Sequence, residues 1–178
     1  MDAQTQHLKL FFDQTWQSLS NEISYGHDIE ASWLLVEAAE VLGDPELLTL
    51  ARVRSVKMAQ AVYDEGRNAD GSLLYEHTSN KLNEDRHWWV QAEAVVGFYN
   101  AYQISGQAHF AEAAVRCWQY IQDKFVDRQH GDWFKVLSEK NVPYLDHYKV
   151  GPWECPYHHS RVCYEMIRRL ADSSIPIA

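Results

Sequence analysis

Cysteine is scarce in this chain, with three residues among 178, namely Cys117, Cys155 and Cys163. An odd number with no paired spacing excludes a disulfide framework, and we expect reduced thiols in the cytoplasm. The first residues lack the basic-then-apolar pattern of a signal peptide. No apolar run approaches the ~18 residues that a membrane-spanning helix needs, so no membrane association is expected.

Basic residues are also few, with 16 Lys and Arg against 25 Asp and Glu and a net charge of −9. Nucleic-acid binding depends on clustered Lys and Arg, so a nucleic-acid partner is excluded. Neither a phosphate-cradling Gly-rich loop nor a Ser-centred elbow is found. Redox and phosphoryl-transfer chemistry are therefore not indicated.

Aromatic residues are abundant, at 13% of the chain, within a composition of 46% hydrophobic and 23% charged residues. This composition and length indicate a globular protein, and we expect residues 1–178 to form a single domain. Aromatic side chains in excess of core needs commonly line a pocket, where their faces pack on apolar faces of a ligand such as a sugar ring.

Helical hairpins dominate the pattern. A buried helix is predicted from His27 to Leu42, ending at Gly43, and Asp44 with Pro45 begins a second helix that reaches about Tyr63. Residues 4–19 fit either a short strand with a helical turn or one helix.

The hairpin and its following loop recur. A helix is predicted from about Asp85 to Ile104 and another from Ala108 to Phe125, while residues 71–76 and 127–134 read as turns with short strands. Equivalent positions lie about 60 residues apart, as in the pairs Glu30 and Glu93, Gly43 and Gly106, and Gly71 and Gly131. Such a repeat predicts an all-α fold, either a helical array or a closed α/α toroid. A third unit has only its first helix, from about His158 to Leu170.

Each unit begins its first helix with chemically active residues. His27 and Glu30 are three apart and share a helix face, so the carboxylate can support the imidazole as a base. His27 can equally be a solvated residue at a helix start. In the second unit, Glu93 occupies the repeat position of Glu30 and shares a face with Trp89, which places both glutamates in one cavity. The alternative is that Trp88 and Trp89 are core residues and that Glu93 is solvated or paired with Arg86.

The third unit starts with an irregular segment rich in Pro and aromatic residues, residues 151–161, of the kind that carries catalytic groups. A metal site is the rival reading, with His158, His159, Cys155 and Cys163 as candidate ligands, but this spacing matches no standard zinc pattern. We therefore expect no metal. The other histidines are expected to be surface or structural residues: His7, His77, His87, His109, His130 and His147.

Three motifs together resemble the cellobiose 2-epimerase branch of the N-acylglucosamine 2-epimerase superfamily. They are GHDIEASWLL at residues 26–35, WWVQAE at residues 88–93 and GPWECPYH at residues 151–158. The resemblance implies a closed (α/α)6 barrel, of which this chain resembles only the C-terminal half.

The resemblance also implies residue roles. His27 and His158 match the two catalytic acid/base histidines, and Glu30 matches the acid beside the first. The residues expected to bind the sugar are Trp33, Trp88, Trp89, Glu93 and Trp153. His159 departs from the pattern, where Asn is expected.

The implied reaction is proton exchange at C2 of the open-chain sugar, which turns a reducing-end glucose into mannose with no metal or organic cofactor. A half toroid exposes helix faces, so we expect association as a homodimer or with a separate N-terminal polypeptide, or else an unstable, inactive fragment. Two other readings are a non-catalytic carbohydrate-binding fragment and a toroid hydrolase or lyase that uses paired carboxylates.

Overall fold

Helices form most of the chain in the computed structural model, which describes residues 1–78, 81–154 and 156–172. The described residues contain five α-helices: α1 (Tyr25–Leu42), α2 (Pro45–Glu65), α3 (Trp88–Ser105), α4 (Ala108–Tyr120) and α5 (His158–Asp172). α1 with α2 and α3 with α4 form two hairpins, and α5 follows as the first helix of a third unit. The predicted α/α architecture is confirmed.

Glycine caps end the first helix of each hairpin. Gly43 and Gly106 adopt φ values of 74° and 70°, and their N–H groups donate to carbonyls of the preceding turn. Glycine adopts this left-handed conformation without a Cβ penalty, so the chain leaves the helix there. Asp44 then caps α2, because its side chain accepts hydrogen bonds from the N–H groups of Glu46 and Leu47. These predicted boundaries are confirmed.

α3 is the central helix. Every residue from Trp88 to Phe98 is buried, because α1, α4 and α5 all pack against this helix. The approach of α1 is close, since a Cβ on Gly97 would lie 2.6 Å from Cγ1 of Ile29. A Cβ on Gly26 would likewise lie 2.7 Å from Cγ2 of Val90, so the first turns of α1 and α3 are also side by side.

Short antiparallel strands set where the helices begin. β1 (Ile23–Ser24) pairs with β2 (Glu76–Thr78), which pairs with β3 (Lys81–Asn83). β4 (Arg86–His87) pairs with β5 (Val136–Leu137). β1 leads directly into α1, and β4 leads directly into α3. The strand pairs therefore fix where these two helices begin.

Some boundaries differ from expectation. Residues 4–19 form neither a helix nor a regular strand, with one isolated bridge between Phe12 and Ser18. α3 starts at Trp88 instead of about Asp85, because the two preceding residues pair with β5. The regular part of α4 ends at Tyr120, and a π-helical turn, Ile121–Phe125, completes the predicted span. No helix of the described residues has both the length and the apolar character to cross a bilayer.

Candidate active site

The first turns of α1, α3 and α5 meet around one indole. The Trp89 ring lies 5.0 Å from the His27 ring and 5.6 Å from the His158 ring, measured between centroids. The two predicted catalytic histidines, far apart in sequence, are thus brought to the same aromatic side chain.

Glu93 is the centre of the polar contacts. Its side chain is almost fully buried, and its Oε1 accepts hydrogen bonds from Nδ1 of His158 at 2.7 Å and from Nη2 of Arg161 at 2.6 Å. Its Oε2 accepts from Nε1 of Trp33 at 2.9 Å. A buried carboxylate needs such partners, and here both oxygens have them.

Arg161 joins the two repeat-related glutamates, since its Nη2 also donates to Glu30. Burial opposes the charge of the guanidinium, but the hydrogen bonds and charges of Glu93 and Glu30 outweigh burial and raise the pKa of Arg161. The prediction that both glutamates reach one cavity agrees with this shared partner. The alternative pairing of Glu93 with Arg86 is wrong, because Arg86 bonds to Ser72 and to the backbone carbonyl of Glu84.

Glu30 does not support His27 in the way expected. Glu30 bonds to Arg161, whereas Nδ1 of His27 lies 2.7 Å from Oγ of Ser24. The side chain of Ser24 also caps α1. Of the two predicted catalytic histidines, His158 is the one with a carboxylate partner, Glu93, whereas Glu30 forms an ion pair with the guanidinium of Arg161.

Trp33 contacts protein side chains instead of lining an open surface, as a residue in contact with a ligand was expected to do. Only 1% of its surface is exposed, so its ring presents no face to a sugar. Its indole N–H holds Glu93, and the guanidinium carbon of Arg161 lies 5.0 Å from the ring centroid. The apolar pattern of α1 predicted a buried helix but could not show how deeply this residue is buried.

The other aromatic residues expected at the sugar site differ in exposure. Trp88 and Trp89 are both buried in the hydrophobic core, as the alternative prediction had it, and the Trp88 ring lies 6.1 Å from that of His158. Trp153 is 81% exposed and precedes Glu154, a buried carboxylate that forms an ion pair with Lys135. Trp153 therefore presents a free aromatic face on an anchored segment.

The candidate metal ligands are not gathered as a zinc site would require. Among the described residues, the only set of three or more potential ligand atoms within 4.8 Å of one another belongs to Glu30, Glu93 and His158. The guanidinium of Arg161 already bonds to both carboxylates of that set and supplies the positive charge. Cys155 lies outside the described residues.

Two residues have contacts that the sequence patterns did not assign. Arg161 lies three positions after His158, and this helical spacing was the available signal. His7, expected to be a surface or structural residue, is buried, with Nδ1 2.7 Å from Asp28 and Nε2 3.2 Å from Glu65. Burial opposes its protonation, but these two carboxylates outweigh burial and raise its pKa.

The pKa values of two further histidines are lowered by their surroundings. The His87 ring stacks on Tyr75 at 3.8 Å, and burial, helped by Lys135 and His147, lowers its pKa to about 4. His159, in the position where Asn was expected, has Nε2 3.4 Å from Asp132. Burial lowers the pKa of His159.

Comparison with known proteins places these features in a family. A family model described as N-acylglucosamine 2-epimerase matches residues 1–161. Cellobiose 2-epimerase of Bacteroides fragilis is 45% identical over 170 residues, and the aligned part covers 94% of this chain and 43% of that protein. Cellobiose 2-epimerase of Ruminococcus albus is 42% identical, with the same coverage of 94% and 43%.

Solved structures agree. A sugar epimerase from a ruminal bacterium superposes with a TM-score of 0.91 at 41% identity, covering 94% of this chain and 43% of that one. Cellobiose 2-epimerase from Bacillus thermoamylovorans gives 0.86 at 38% identity, with the same coverage. D-mannose isomerase, at 20% identity and a TM-score of 0.73, shares the fold.

This chain thus spans less than half the length of the curated relatives named here, which fits half of an α/α barrel. Its sequence motifs, its helical hairpins and its match over residues 1–161 agree with one another. The chain belongs to the N-acylglucosamine 2-epimerase family.

Proposed function

We propose that this chain is a sugar 2-epimerase polypeptide that interconverts glucose and mannose at the reducing end of a disaccharide such as cellobiose. His27 and His158 exchange the proton at C2 in this proposal. The observation that supports it most strongly is the placement of both imidazole rings within 5.6 Å of the Trp89 ring, from the first turns of different helices.

In both histidines, the hydrogen bonds assign one role to Nδ1 and another to Nε2. Nδ1 of His158 faces the Glu93 carboxylate and Nδ1 of His27 faces the Ser24 hydroxyl. If each Nδ1 carries the proton, each Nε2 keeps the lone pair that a base requires. One fixed nitrogen and one available nitrogen are the arrangement of an oriented general base.

The reaction balances with these two groups alone. Nε2 of one histidine takes the C2 proton, the electron pair of the broken C–H bond forms a C1–C2 double bond, and the π pair of the C1 carbonyl moves to O1 to give an enediolate intermediate, whose carbonyl re-forms when C2 is reprotonated. The other histidine, protonated, returns a proton to the opposite face of C2. Inversion requires two groups on opposite faces, and no metal or organic cofactor enters the steps.

The aromatic residues supply the sugar site in this proposal. The Trp89 ring lies beside the rings of both bases, Trp88 borders His158, and the exposed indole of Trp153 stacks on the second sugar ring. Glu93 and Glu30 act through His158 and Arg161, which they hold in place.

A second polypeptide completes the barrel in this proposal, with residues 1–178 as one domain. A groove of about 460 Å³ between α3, α4 and α5 is lined almost entirely by apolar side chains, among them Val95, Trp118, Val162, Met166, Ile167 and Leu170. Because the chain covers 43% of its relatives, a helix from the part of the fold that it does not cover is the occupant that fits. We also propose a cytoplasmic location, which rests on the cysteine pattern.

The test uses cellobiose in heavy water, with the chain alone and after co-expression with a polypeptide that covers the remaining part of a relative. Deuterium at C2 together with a mannose-ended product, detected by NMR and mass spectrometry, supports the proposal. Release of glucose would instead indicate a hydrolase and would contradict it.

A non-catalytic carbohydrate-binding fragment is the second candidate. The exposed face of Trp153, together with a length below half that of the relatives, favours it. Binding of cellobiose without deuterium exchange, both alone and in the co-expressed complex, would support this candidate over the epimerase.

A further inference from the structure

The Trp33 ring packs against two arginines of α5. The guanidinium carbons of Arg161 and Arg169 lie 5.0 Å and 5.9 Å from the centroid of a Trp33 ring. These arginines are eight positions apart on α5, or about 12 Å along the helix axis. A guanidinium near an indole face is attracted by the ring. α5 therefore contacts the buried indole at two positions along the helix axis.

The residues that make these contacts form one stripe on α5. His158, Arg161, Glu165 and Arg169 follow one another at spacings of three, four and four, which places them on one helix face. Within the stripe, Oε2 of Glu165 accepts from Nε of Arg169 at 3.2 Å. The histidine at one end of the stripe is thus rigidly connected to the arginine at the other.

Arg169 is fixed by the neighbouring helices. Its Nη1 donates to Oδ1 of Asn100 at 3.1 Å and to Oε1 of Gln103 at 2.8 Å, both on α3. The buried Asn100 in turn donates through Nδ2 to Oγ of Ser55 on α2 at 3.0 Å. Arg169 therefore sets the height of α5 against two helices that do not belong to its own hairpin.

The contacts of Trp33 also extend, through Glu93, to His158. Trp33 donates to one oxygen of Glu93, and the other oxygen of Glu93 accepts from His158. A shift of α5 along the indole would change the distance from His158 to Glu93, because both contacts share the rigid helix.

We infer that Arg169 is a positioning residue for His158, acting through Trp33 and Glu93. It holds α5 at the height where Nδ1 of His158 meets the Glu93 carboxylate, and it touches neither substrate nor reacting atoms. The kinetic consequence rests on the proposed function, whereas the structural consequence does not.

The test compares R169Q with R168Q in the full chain. Arg168 is the adjacent, half-exposed arginine, and it pairs with Glu165 and Glu37. The first readout is hydrogen exchange of the Trp33 indole N–H by ¹H–¹⁵N NMR, with the signal assigned by its loss in W33F. R169Q should accelerate this exchange by at least ~10-fold, because the indole loses a packed cation and the helix its anchor. R168Q should stay within about 2-fold of the unmodified chain.

The second readout is turnover by the co-expressed complex, where R169Q should lower kcat with little change in KM. R169K keeps the charge but not the planar guanidinium, so its indole exchange rate and its kcat should lie between those of R169Q and the unmodified chain. R169K also serves as the test if R169Q does not fold. Unchanged indole exchange in R169Q, or equal effects of R168Q and R169Q, would overturn the inference. Faster indole exchange in R169Q without turnover by any variant would support the positioning role and contradict the proposed function.

Discussion

Nδ1 of His158 lies 2.7 Å from Oε1 of Glu93, although 65 positions separate the two residues in the sequence. The contact joins the first turn of α5 to the second turn of α3. It gives His158 a fixed orientation and gives a buried carboxylate one of its partners.

Replacing Glu93 by Gln tests this contact. E93Q keeps the shape but removes the charge that holds both His158 and Arg161, so kcat/KM should fall by at least ~10²-fold. The free energy of unfolding should fall by about 1.5–3 kcal/mol, as for a lost charged hydrogen bond. Activity assays and urea unfolding measure the two effects. E112Q, at an exposed position of α4, is the control, and equal behaviour of the two variants would refute the central role of Glu93.

Trp153 and Trp16 form a matched pair, because both are 81% exposed. W153A should weaken cellobiose binding by ~10-fold through loss of the stacking face, whereas W16A should not. Neither substitution should change the free energy of unfolding by more than about 0.5 kcal/mol, since both side chains are largely exposed. Titration calorimetry measures the affinities, and an unchanged affinity for W153A would remove Trp153 from the sugar site.

The lowered pKa of His87 predicts a pH dependence of stability. The folded chain keeps His87 neutral down to about pH 4, whereas the unfolded chain takes up a proton below its ordinary pKa of 6.5. The contribution of His87 to the free energy of unfolding is therefore fully present above pH 6.5 and is lost as the pH falls towards 4. The slope of this loss is at most about 1.4 kcal/mol per pH unit. Urea unfolding between pH 4.5 and 7 should show a shallower slope in H87N. An identical slope in H87N would show that other groups cause the dependence.

The apolar groove between α3, α4 and α5 predicts association. In sedimentation velocity, this chain should form a one-to-one complex with a polypeptide that covers the remaining part of the barrel. I167E places a charge in the groove and should abolish the complex, whereas V41E, at an exposed site that does not line the groove, should not. A homodimer, or a complex that I167E leaves intact, would contradict the assigned occupant.

The helical hairpins were predictable because their boundaries depend on local chemistry. Gly43 and Gly106 end helices through a conformation that only glycine adopts freely, and Asp44 with Pro45 starts the next one. Residues 4–19 were not predictable in this way. Phe11, Trp16 and Leu19 are exposed, so their apolar pattern reflects no buried helix face or strand face.

The sequence indicated residues that lie close together in the folded chain, but it did not indicate their pairings. Helical spacing shows that His27 and Glu30 share a face, yet Glu30 bonds to Arg161, which is 131 positions away. Which distant cation reaches a carboxylate depends on how helices pack, and a local pattern does not contain this. For the same reason, the burial of Trp33 appeared only in the folded chain.

The most direct test of the two-histidine account is deuterium exchange at C2 in H27N and H158N, started separately from the glucose-ended and the mannose-ended disaccharide. The co-expressed complex is used, with H130N, at an exposed loop position, as the control. Each variant should lose epimerisation by ~10²-fold or more, and each should retain exchange from one epimer only, with the two variants retaining opposite epimers. Full epimerisation by either H27N or H158N would contradict the assignment of one base to each face of C2.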